Sequence, residues 1–299
     1  MLPLYILVLI IIYNTFIYKY FRLNEQQMSY DVFLKHFFHV IDQENYYMNY
    51  GLWDAEHTTL HQANANLVNF IFTKAGLKDK KGLSVLDVGC GYGHQDFEWE
   101  RQLDPSCTLK AVDISAKQIY YAIEKAHKQK SAVTFDICDA LFIDQKYKNE
   151  TFDVILSLES AFHYPDRPKF FKNVKALLNG NDGKFVITDL LLKKPYASMD
   201  WSSKIFLKFF SDFLCIPKQN LITAEEWDAQ LAAAELSIQE IHDTTDQTFS
   251  TYYTYFMTTF IEKKGLPEWL GQALVNFFCA VQPFAYRIAV CEASNSVKE

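Results

Sequence analysis

A glycine-rich loop between a short aliphatic strand and a helix is the feature that most limits what this chain can fold into. Residues 86–93 read LDVGCGYG, and they follow directly on a run of strand-forming residues at 83–88. Glycines let the backbone turn tightly and approach a ligand closely, and the N-terminus of the helix that follows presents free N–H groups. The loop therefore favours an α/β fold with a ligand site where this strand ends.

The rest of the chain continues the alternation of strands and helices. Helical stretches at 115–129 and 167–179 separate the earlier strand-like runs, and two later runs follow longer helical insertions. Strands that alternate with helices predict a mainly parallel sheet covered on both faces. The predicted strands are 83–88, 108–112, 132–136, 152–157, 184–188, 236–241 and 285–291.

Composition excludes several classes of protein. With 49% hydrophobic and 22% charged residues among 299, the chain can bury a sizeable core and is not disordered. A net charge of −7 leaves no basic face for phosphate backbones, so no nucleic-acid partner is predicted. The six cysteines form no CxxC pair, so neither a metal site nor a disulfide framework is predicted. Aromatic residues make up 16%, which suits either an apolar ligand, a membrane surface or simply a phenylalanine-rich core.

The N-terminus is unusually apolar. Residues 2–18 carry no charge, and Lys19 and Arg22 follow them, so the run is about the length that crosses a hydrocarbon core of roughly 30 Å. We predict a membrane anchor helix over 1–22, with the remainder of the chain in the cytoplasm by the positive-inside tendency. A helix lying in the membrane interface and a soluble helix packed on the domain are the alternatives.

Acidic residues end the second and third predicted strands. Asp113 could accept both hydroxyls of a ribose, and Asp139 could accept a hydrogen bond from an adenine amino group. Helix capping by Asp113 and simple loop solvation of Asp139 are the alternatives. A dinucleotide fingerprint would need a third glycine where His94 stands, which disfavours a dehydrogenase. A cofactor with a carboxylate and no phosphate, such as S-adenosylmethionine, suits the shorter loop better.

These motifs resemble class I S-adenosylmethionine-dependent methyltransferases of the small-molecule type. The resemblance includes LDVGCGYG, the strand end AVD, CDA, and FDVILSLESAFHYPDRPKFF followed by GKFVITDL. Three shorter blocks, YYMNYGLWD, LESAFHYPD and FAYRIAVCEA, resemble the group of phthiotriol and phenolphthiotriol dimycocerosate O-methyltransferases, with tocopherol and sterol methyltransferases more distant. The resemblance implies a Rossmann-like, seven-stranded, mainly parallel sheet whose last strand is antiparallel, with helical cap insertions and, here, the N-terminal hydrophobic helix in addition.

The resemblance also implies which residues bind S-adenosylmethionine. Its methionine part would lie against the glycine loop, its ribose and adenine against the next two strand ends, and its sulfonium beside the fourth strand. The implied cofactor-binding residues are Asp87, Gly89, Gly91, Gly93, Asp113, Ile114, Asp139, Ala140, Ser157 and Leu158. Tyr50 in the aromatic block is predicted to cover the methionine end, although core packing explains it equally well.

Two residues after the fourth strand are candidates for the chemistry. Transfer to an alcohol requires a base, and His163 is the best-placed histidine because histidine titrates near neutral pH. A structural or substrate-orienting role is the alternative for His163. Glu159 could hold the acceptor or polarise His163, and its alternative is ordering of the loop.

The predicted organisation is an anchor, a helical segment and one elaborated domain. Residues 23–82 contribute to the pocket, residues 83–292 form the cofactor-binding domain with cap segments 193–225 and 243–284, and 293–299 are a tail. In the first cap, Trp201, Ile205 and Phe209 fall on one helical stripe. An apolar pocket beneath such caps favours a lipid, polyketide, sterol or prenylated phenol as substrate. O-methylation is preferred, C-methylation and a catalytically silent scaffold are the alternatives, and nothing indicates an oligomeric state.

Overall fold

The computed structural model describes residues 47–180, 182–265 and 267–294. Within them, all seven predicted strands are confirmed, with boundaries that differ by a few residues. The strands are β1 (Ser84–Val88), β2 (Thr108–Asp113), β3 (Thr134–Ile137), β4 (Val154–Ser157), β5 (Lys184–Leu192), β6 (Leu236–Asp243) and β7 (Phe284–Ala293).

The seven strands form one sheet in the order β3-β2-β1-β4-β5-β7-β6. β1 to β5 pair in parallel, whereas β7 lies antiparallel to both β5 and β6. The predicted antiparallel last strand is thereby confirmed. Because β1 to β4 are parallel neighbours, their carboxyl ends lie at one edge of the sheet, and the chain order reverses between β1 and β4. In open α/β sheets, ligands bind at such a switch point.

Helices connect and cover the strands. They are α1 (Leu60–Ala75), α2 (His94–Glu100), α3 (Ala116–Gln129), α4 (Ile143–Lys146), α5 (Arg167–Leu177), α6 (Trp201–Phe213), α7 (Ala224–Ala233), α8 (Thr251–Lys264) and α9 (Glu268–Val281). The central strands are buried on both faces, and every residue of β4 is buried. Continuous apolar strands of this kind are typical of a parallel sheet covered on both sides.

A buried ion pair joins α5, β5 and α7. Arg167 Nη1 lies 2.9 Å from Asp189 Oδ2, and both side chains are fully buried. Trp227 Nε1 donates to the same oxygen at 2.7 Å, and the backbone N–H of Leu190 donates to Asp189 Oδ1 at 2.9 Å. Removing one member would leave the other charge buried without compensation, so these contacts fix the two helices on β5.

The helix α6 presents a different face to the core from the one that its apolar stripe indicates. Trp201 is 65% and Ile205 is 55% exposed, whereas Phe206, Leu207 and Phe210 are buried. The alternative that this stripe is buried on the core is therefore wrong for Trp201 and Ile205, and a stripe that covers the substrate pocket stays a prediction. Both faces of this helix are rich in apolar residues, so periodicity alone cannot tell which one packs.

Residues 249–282 belong to a second compact unit, which contains α8 and α9. The Tyr253 and Phe278 rings stack with centroids 5.6 Å apart, and Gln282 Nε2 donates to the Tyr253 hydroxyl at 2.7 Å. A Cβ on Gly271 would lie 3.2 Å from Ile261 Cγ1, so the glycine permits close approach of the two helices.

Several predictions concern residues that the structure does not describe. The anchor over 1–22, the segment 23–46 and most of the tail lie outside the described residues. Among the described helices, none is long and apolar enough to span a bilayer.

Candidate functional site

The glycine loop after β1 is shaped by close neighbours that leave no space for side chains. Gly89 has φ +88°, and a Cβ there would lie 2.3 Å from Ser160 Cβ. Gly93 has φ +72°, and its Cβ would lie 2.6 Å from the Phe135 ring. Left-handed backbone and contacts this short are tolerated only by glycine. The predicted Gly89 and Gly93 therefore allow Ser160 and Phe135 to pack directly against the backbone of the loop.

Asp113, at the end of β2, holds this loop in place. Its Oδ2 accepts the backbone N–H of Gly91 at 3.0 Å, and its Oδ1 accepts the backbone N–H of Ser115 at 2.8 Å. The side chain of Ser115, rather than that of Asp113, caps α3, so the capping alternative for Asp113 is wrong. The carboxylate of Asp113 therefore lies at the strand end where a ribose-binding acid was predicted.

The end of β3 adds a second carboxylate beside exposed apolar groups. Asp139 Oδ1 accepts the backbone N–H of Leu141 at 2.9 Å and thereby caps the short 3₁₀ turn that begins at the buried Ala140. At the ends of β2 and β3, Ile114, Ile137 and Phe142 are 60%, 45% and 45% exposed. Exposed apolar side chains next to an acid that accepts hydrogen bonds would suit the binding of a flat, partly polar ring.

Asp87 lies within β1 and is fully buried. Gln95 Nε2 donates to Asp87 Oδ2 at 2.7 Å, while Oδ1 has no hydrogen-bond partner. Burial raises the pKa of Asp87, the Gln95 hydrogen bond lowers it and the nearby charge of Asp113 raises it, so that the pKa is about 7. Asp96, which the sequence analysis did not single out, is also fully buried, and burial followed by the charge of Asp87 raises its pKa. The two acids therefore form a weakly ionised pair under the glycine loop.

The end of β4 packs directly against the glycine loop. Ser160 Oγ donates to the Val88 backbone oxygen at 2.9 Å and lies 2.8 Å from Ser157 Oγ. The Tyr164 hydroxyl donates to the same Val88 oxygen at 3.2 Å, and Leu158 is buried. Ser157 and Leu158 are thus at the edge of the sheet where they were predicted, next to the residue that closes over Gly89.

Glu159 is held in an unusual backbone conformation beside this contact. Its φ is +51°, and its backbone N–H donates to Thr188 Oγ1 at 2.7 Å. The carboxyl oxygen Oε1 accepts from the Tyr286 hydroxyl at 2.6 Å and from the Tyr50 backbone N–H at 2.9 Å. Burial raises the pKa of Glu159 to about 8, although both hydrogen bonds lower it. A strained, buried carboxyl at a strand end is typical of a functional residue.

The segment 48–53, which we call the strap, crosses the same region. Gln118 Nε2 donates to Met48 Sδ at 3.2 Å, and a Cβ on Gly91 (φ +57°) would lie 3.1 Å from that sulfur. Asn64 Nδ2 donates to Asn49 Oδ1 at 2.8 Å, which anchors the strap to α1. Tyr50 joins the strap to Glu159 through its backbone N–H. The role of its side chain as a cover remains a prediction.

His163 lies in a 3₁₀ turn and is half-buried. Its Nδ1 is 3.3 Å from the backbone oxygen of Cys215. Since a carbonyl oxygen can only accept, Nδ1 carries the hydrogen and the lone pair of the neutral ring is on Nε2. Burial lowers the pKa of His163 to about 4, so the ring is neutral near pH 7. The Glu159 carboxyl accepts hydrogen bonds from the Tyr286 hydroxyl and the Tyr50 backbone N–H. Neither of these is the predicted bond that would polarise His163.

The geometry fits a ligand such as S-adenosylmethionine. The glycine loop turns tightly at the switch point, and a carboxylate lies at the end of β2 and another after β3. The buried Asp87 Oδ1 has no partner of its own. Sequence reasoning missed Met48, Thr188 and Tyr286, which come from distant segments, and it missed Asp96 in the helix directly after the glycine loop. The sequence signal for Tyr286 is only its place in the FAYRIAVCEA block.

Comparison with known proteins decides the family. Residues 79–243, more than half of the chain, match the family model described as a methyltransferase domain. The chain belongs to this family. It is a class I S-adenosylmethionine-dependent methyltransferase, as the sequence motifs predicted.

Two curated relatives of this methyltransferase extend over most of its length. Erythromycin 3''-O-methyltransferase of Saccharopolyspora erythraea is 28% identical over 238 residues, 78% of this chain and 75% of the relative. The 27-O-demethylrifamycin SV methyltransferase of Amycolatopsis mediterranei is 27% identical over 230 residues, 75% of this chain and 78% of the relative. The finer resemblance to the phthiotriol group is not among these findings and stays a prediction.

A solved structure supports the fold. The geranyl diphosphate C-methyltransferase of Streptomyces coelicolor A3(2), in complex with Mg²⁺, geranyl-S-thiolodiphosphate and S-adenosyl-L-homocysteine, superposes with a TM-score of 0.66 and 17% identity. The match covers 87% of this chain and 92% of that one. At this level of identity the similarity concerns the Rossmann-like architecture.

Proposed function

We propose that this methyltransferase transfers a methyl group to a hydroxyl of a hydrophobic small molecule. Two relatives that match three quarters of the chain support an oxygen acceptor, because one is named an O-methyltransferase and the other a methyltransferase of an O-demethyl compound. The aromatic content of 16% and the apolar cap helices support a hydrophobic substrate. The substrate class includes lipids, polyketides, sterols and prenylated phenols.

The observation that carries the proposal is the placement of Glu159. Its carboxyl lies at the end of β4, one residue before Ser160, which packs against the glycine loop. An alcohol must lose a proton when it is methylated, and a positioned base contributes typically about 10²–10⁴-fold. With a pKa of about 8, a fraction of Glu159 is ionised near neutral pH, and this carboxylate can take the proton.

The cofactor would be held by the surface described above. Asp113 would accept the ribose hydroxyls, Asp139 the adenine amino group, and Ile114 would pack on the adenine. The glycine loop with Asp87 would hold the methionine part, and Ser157 and Leu158 would lie beside its sulfur. Bound S-adenosylmethionine supplies an activated methyl group on a sulfonium, and alignment of the acceptor with it provides most of the acceleration.

His163 has a supporting role in this proposal. The contact of Nδ1 with the Cys215 carbonyl fixes the ring at the end of β4, four residues after Glu159, which supports an orienting role. A pKa of about 4 makes it a weaker base than Glu159 at neutral pH. We therefore assign His163 to orientation of the acceptor and Glu159 to the proton transfer.

Labelled S-adenosylmethionine tests the reaction. The enzyme is incubated with a total lipid extract, and mass spectrometry identifies the molecule and the atom that gain the methyl group. A methyl ether on a hydrophobic molecule is expected; a new C–methyl bond would overturn the oxygen assignment. Asp113→Asn should weaken binding of S-adenosylhomocysteine in calorimetry by about 1.5–3 kcal/mol, the scale of a charged hydrogen bond. Unchanged affinity would remove Asp113 from the cofactor site.

We further propose that residues 1–22 attach the enzyme to a membrane with its catalytic domain in the cytoplasm. The support is the uncharged run 2–18 followed by Lys19 and Arg22. An attached enzyme would meet substrates that dissolve in the bilayer.

A further inference from the structure

Tyr286, in the antiparallel strand β7, reaches the candidate base from across the sheet. The strand pairs with β5 so that Tyr286 is opposite Leu190, two residues beyond Thr188. Its hydroxyl lies 2.6 Å from Glu159 Oε1, and its side chain is fully buried. A bond this short to a carboxyl oxygen is in the range of the stronger hydrogen bonds.

Both hydrogen bonds to the Glu159 carboxyl fall on the same oxygen. The Tyr286 hydroxyl and the Tyr50 backbone N–H both donate to Oε1. Within the described part of the chain, Oε2 receives neither of these donors, so it is the oxygen that can meet an acceptor hydroxyl. Thr188 holds the backbone N–H of Glu159, which leaves the side-chain torsions to be set by Tyr286 and the strap.

Tyr286 also affects the ionisation of Glu159. Tyr286 from β7 and Tyr50 from the strap are the titratable residues that face this carboxyl in the described structure. Burial and the neighbouring Glu159 raise the pKa of Tyr286 well above its usual value, so the phenol stays neutral and remains a donor. Its hydrogen bond favours the ionised carboxylate and opposes the effect of burial.

We propose that Tyr286 is a positioning residue of the methyl transfer: its phenol occupies Oε1 of Glu159, directs Oε2 to the acceptor and stabilises the carboxylate form. The inference rests on the proposed role of Glu159 as the base. It assigns to β7 a part in catalysis that the position of this strand, two strands away from β4, does not suggest.

Infrared difference spectroscopy of the full chain tests the proposal without cofactor or acceptor. The C=O band of protonated Glu159 is identified by subtraction of the Glu159→Gln spectrum and followed with pH. In the wild type the band should disappear with a midpoint of about 8. In Tyr286→Phe the midpoint should rise by about one pH unit, tenfold in proton affinity, as expected for the loss of one hydrogen bond.

Tyr147→Phe is the matched control. Tyr147 is also a buried tyrosine, and its hydroxyl lies 3.5 Å from Asp136 in the core rather than near Glu159. Its midpoint should equal that of the wild type. An unshifted midpoint in Tyr286→Phe, an equal shift in Tyr147→Phe, or no band that depends on Glu159 would overturn the proposal.

A second variant keeps the test decisive if Tyr286→Phe does not fold. Thr188→Val removes the hydroxyl that fixes the Glu159 backbone and that also hydrogen-bonds Tyr286, so it should raise the midpoint as well. Once the acceptor is known, the pH dependence of kcat/KM should shift in the same direction. If the wild type does not bind S-adenosylhomocysteine, the proposed function is refuted but the titration result stands. Failure of the proposed function and failure of the role of Tyr286 are therefore distinguishable.

Discussion

Single carboxylates in this enzyme hold the backbone at the site where we propose that a ligand binds. Asp113 accepts N–H groups from Gly91 and Ser115, so it shapes the glycine loop in addition to its proposed contact with a ribose. Glu159 similarly links β4, the strap and β7. Substitution of such a residue removes its backbone contacts and its proposed ligand contact together. Variants that keep the shape of the side chain are needed to separate these two effects.

Gly89→Ala should destabilise the fold more than an alanine at an unconfined glycine. Gly89 and Gly82 both have left-handed φ values, but a Cβ at Gly82 would meet nothing within 4 Å. Gly82→Ala should therefore show only the backbone strain, about 1–2 kcal/mol. Gly89→Ala should lose about 1–3 kcal/mol more, since its Cβ would overlap Ser160. Urea unfolding of both variants measures this difference, and equal losses would contradict the packing described here.

Glu159→Gln should change how stability depends on pH. Burial raises the pKa of Glu159 from 4.5 to about 8, so between these values the native state holds a proton that the unfolded chain has released. The contribution of this group to the free energy of unfolding therefore falls as the pH rises from 4.5 to 8. Relative to wild type, Glu159→Gln should gain stability over that interval, by a few kcal/mol at most.

Urea titrations at several pH values measure this effect. Glu268→Gln, which changes an exposed carboxyl in the first turn of α9, is the control and should follow the wild type throughout. A constant difference between Glu159→Gln and wild type across the pH range would show that Glu159 is not held protonated.

At the scale of elements, the packing of α6 depends on its neighbours more than on its own pattern. Trp201 and Ile205 point away from the core, and Phe206, Leu207 and Phe210 face it. A helix that is apolar on two faces can bury either one, and the element it packs against determines which.

Alanine substitutions on the two faces of α6 distinguish them. Phe210→Ala should cost about 3–5 kcal/mol because it leaves a cavity in packed surroundings. Ile205→Ala, on the exposed face, should change the free energy of unfolding by less than about 0.5 kcal/mol. Thermal or urea unfolding provides the measurement, and the reverse order would support the stripe expected from the sequence.

At the scale of the whole molecule, the parallel arrangement of β1 to β4 brings the functional groups together. The candidate site is spread over seventy-one positions in the chain, from Gly89 to Glu159, but its parts lie at the same edge of the sheet. These parts are the glycine loop, Asp113, Asp139 and Glu159. The antiparallel β7 then adds Tyr286 from near the C-terminus.

Deletion of residues 1–22 should release the enzyme from membranes. The uncharged run 2–18, with Lys19 and Arg22 after it, accounts for the proposed attachment. Sedimentation with membranes should be lost, while calorimetry should show unchanged binding of S-adenosylhomocysteine. A truncated enzyme that still sediments would refute the anchor, and lost cofactor binding would show that this segment belongs to the fold.

Much of the architecture could be predicted from local signals. Aliphatic runs that alternate with helices gave all seven strands, since a strand buried on both faces must be apolar along its length. The glycine loop and the acids after β2 and β3 could be found because their spacing within each strand–loop–helix unit is short. The phthiotriol resemblance and the N-terminal anchor were also predicted, and they remain proposals.

The sequence by itself determined the fold class, the cofactor and the edge of the sheet where the site lies, because short-range patterns encode strands, turns and helix starts. The tertiary structure alone decided that Tyr286 and Thr188 hold Glu159, that Met48 lies over Gly91, that Asp96 is buried beside Asp87, and which face of α6 is buried. These contacts join residues that are far apart in the chain, or choose between equally apolar faces. Their specificity arises from packing and desolvation, which become defined only when distant segments meet.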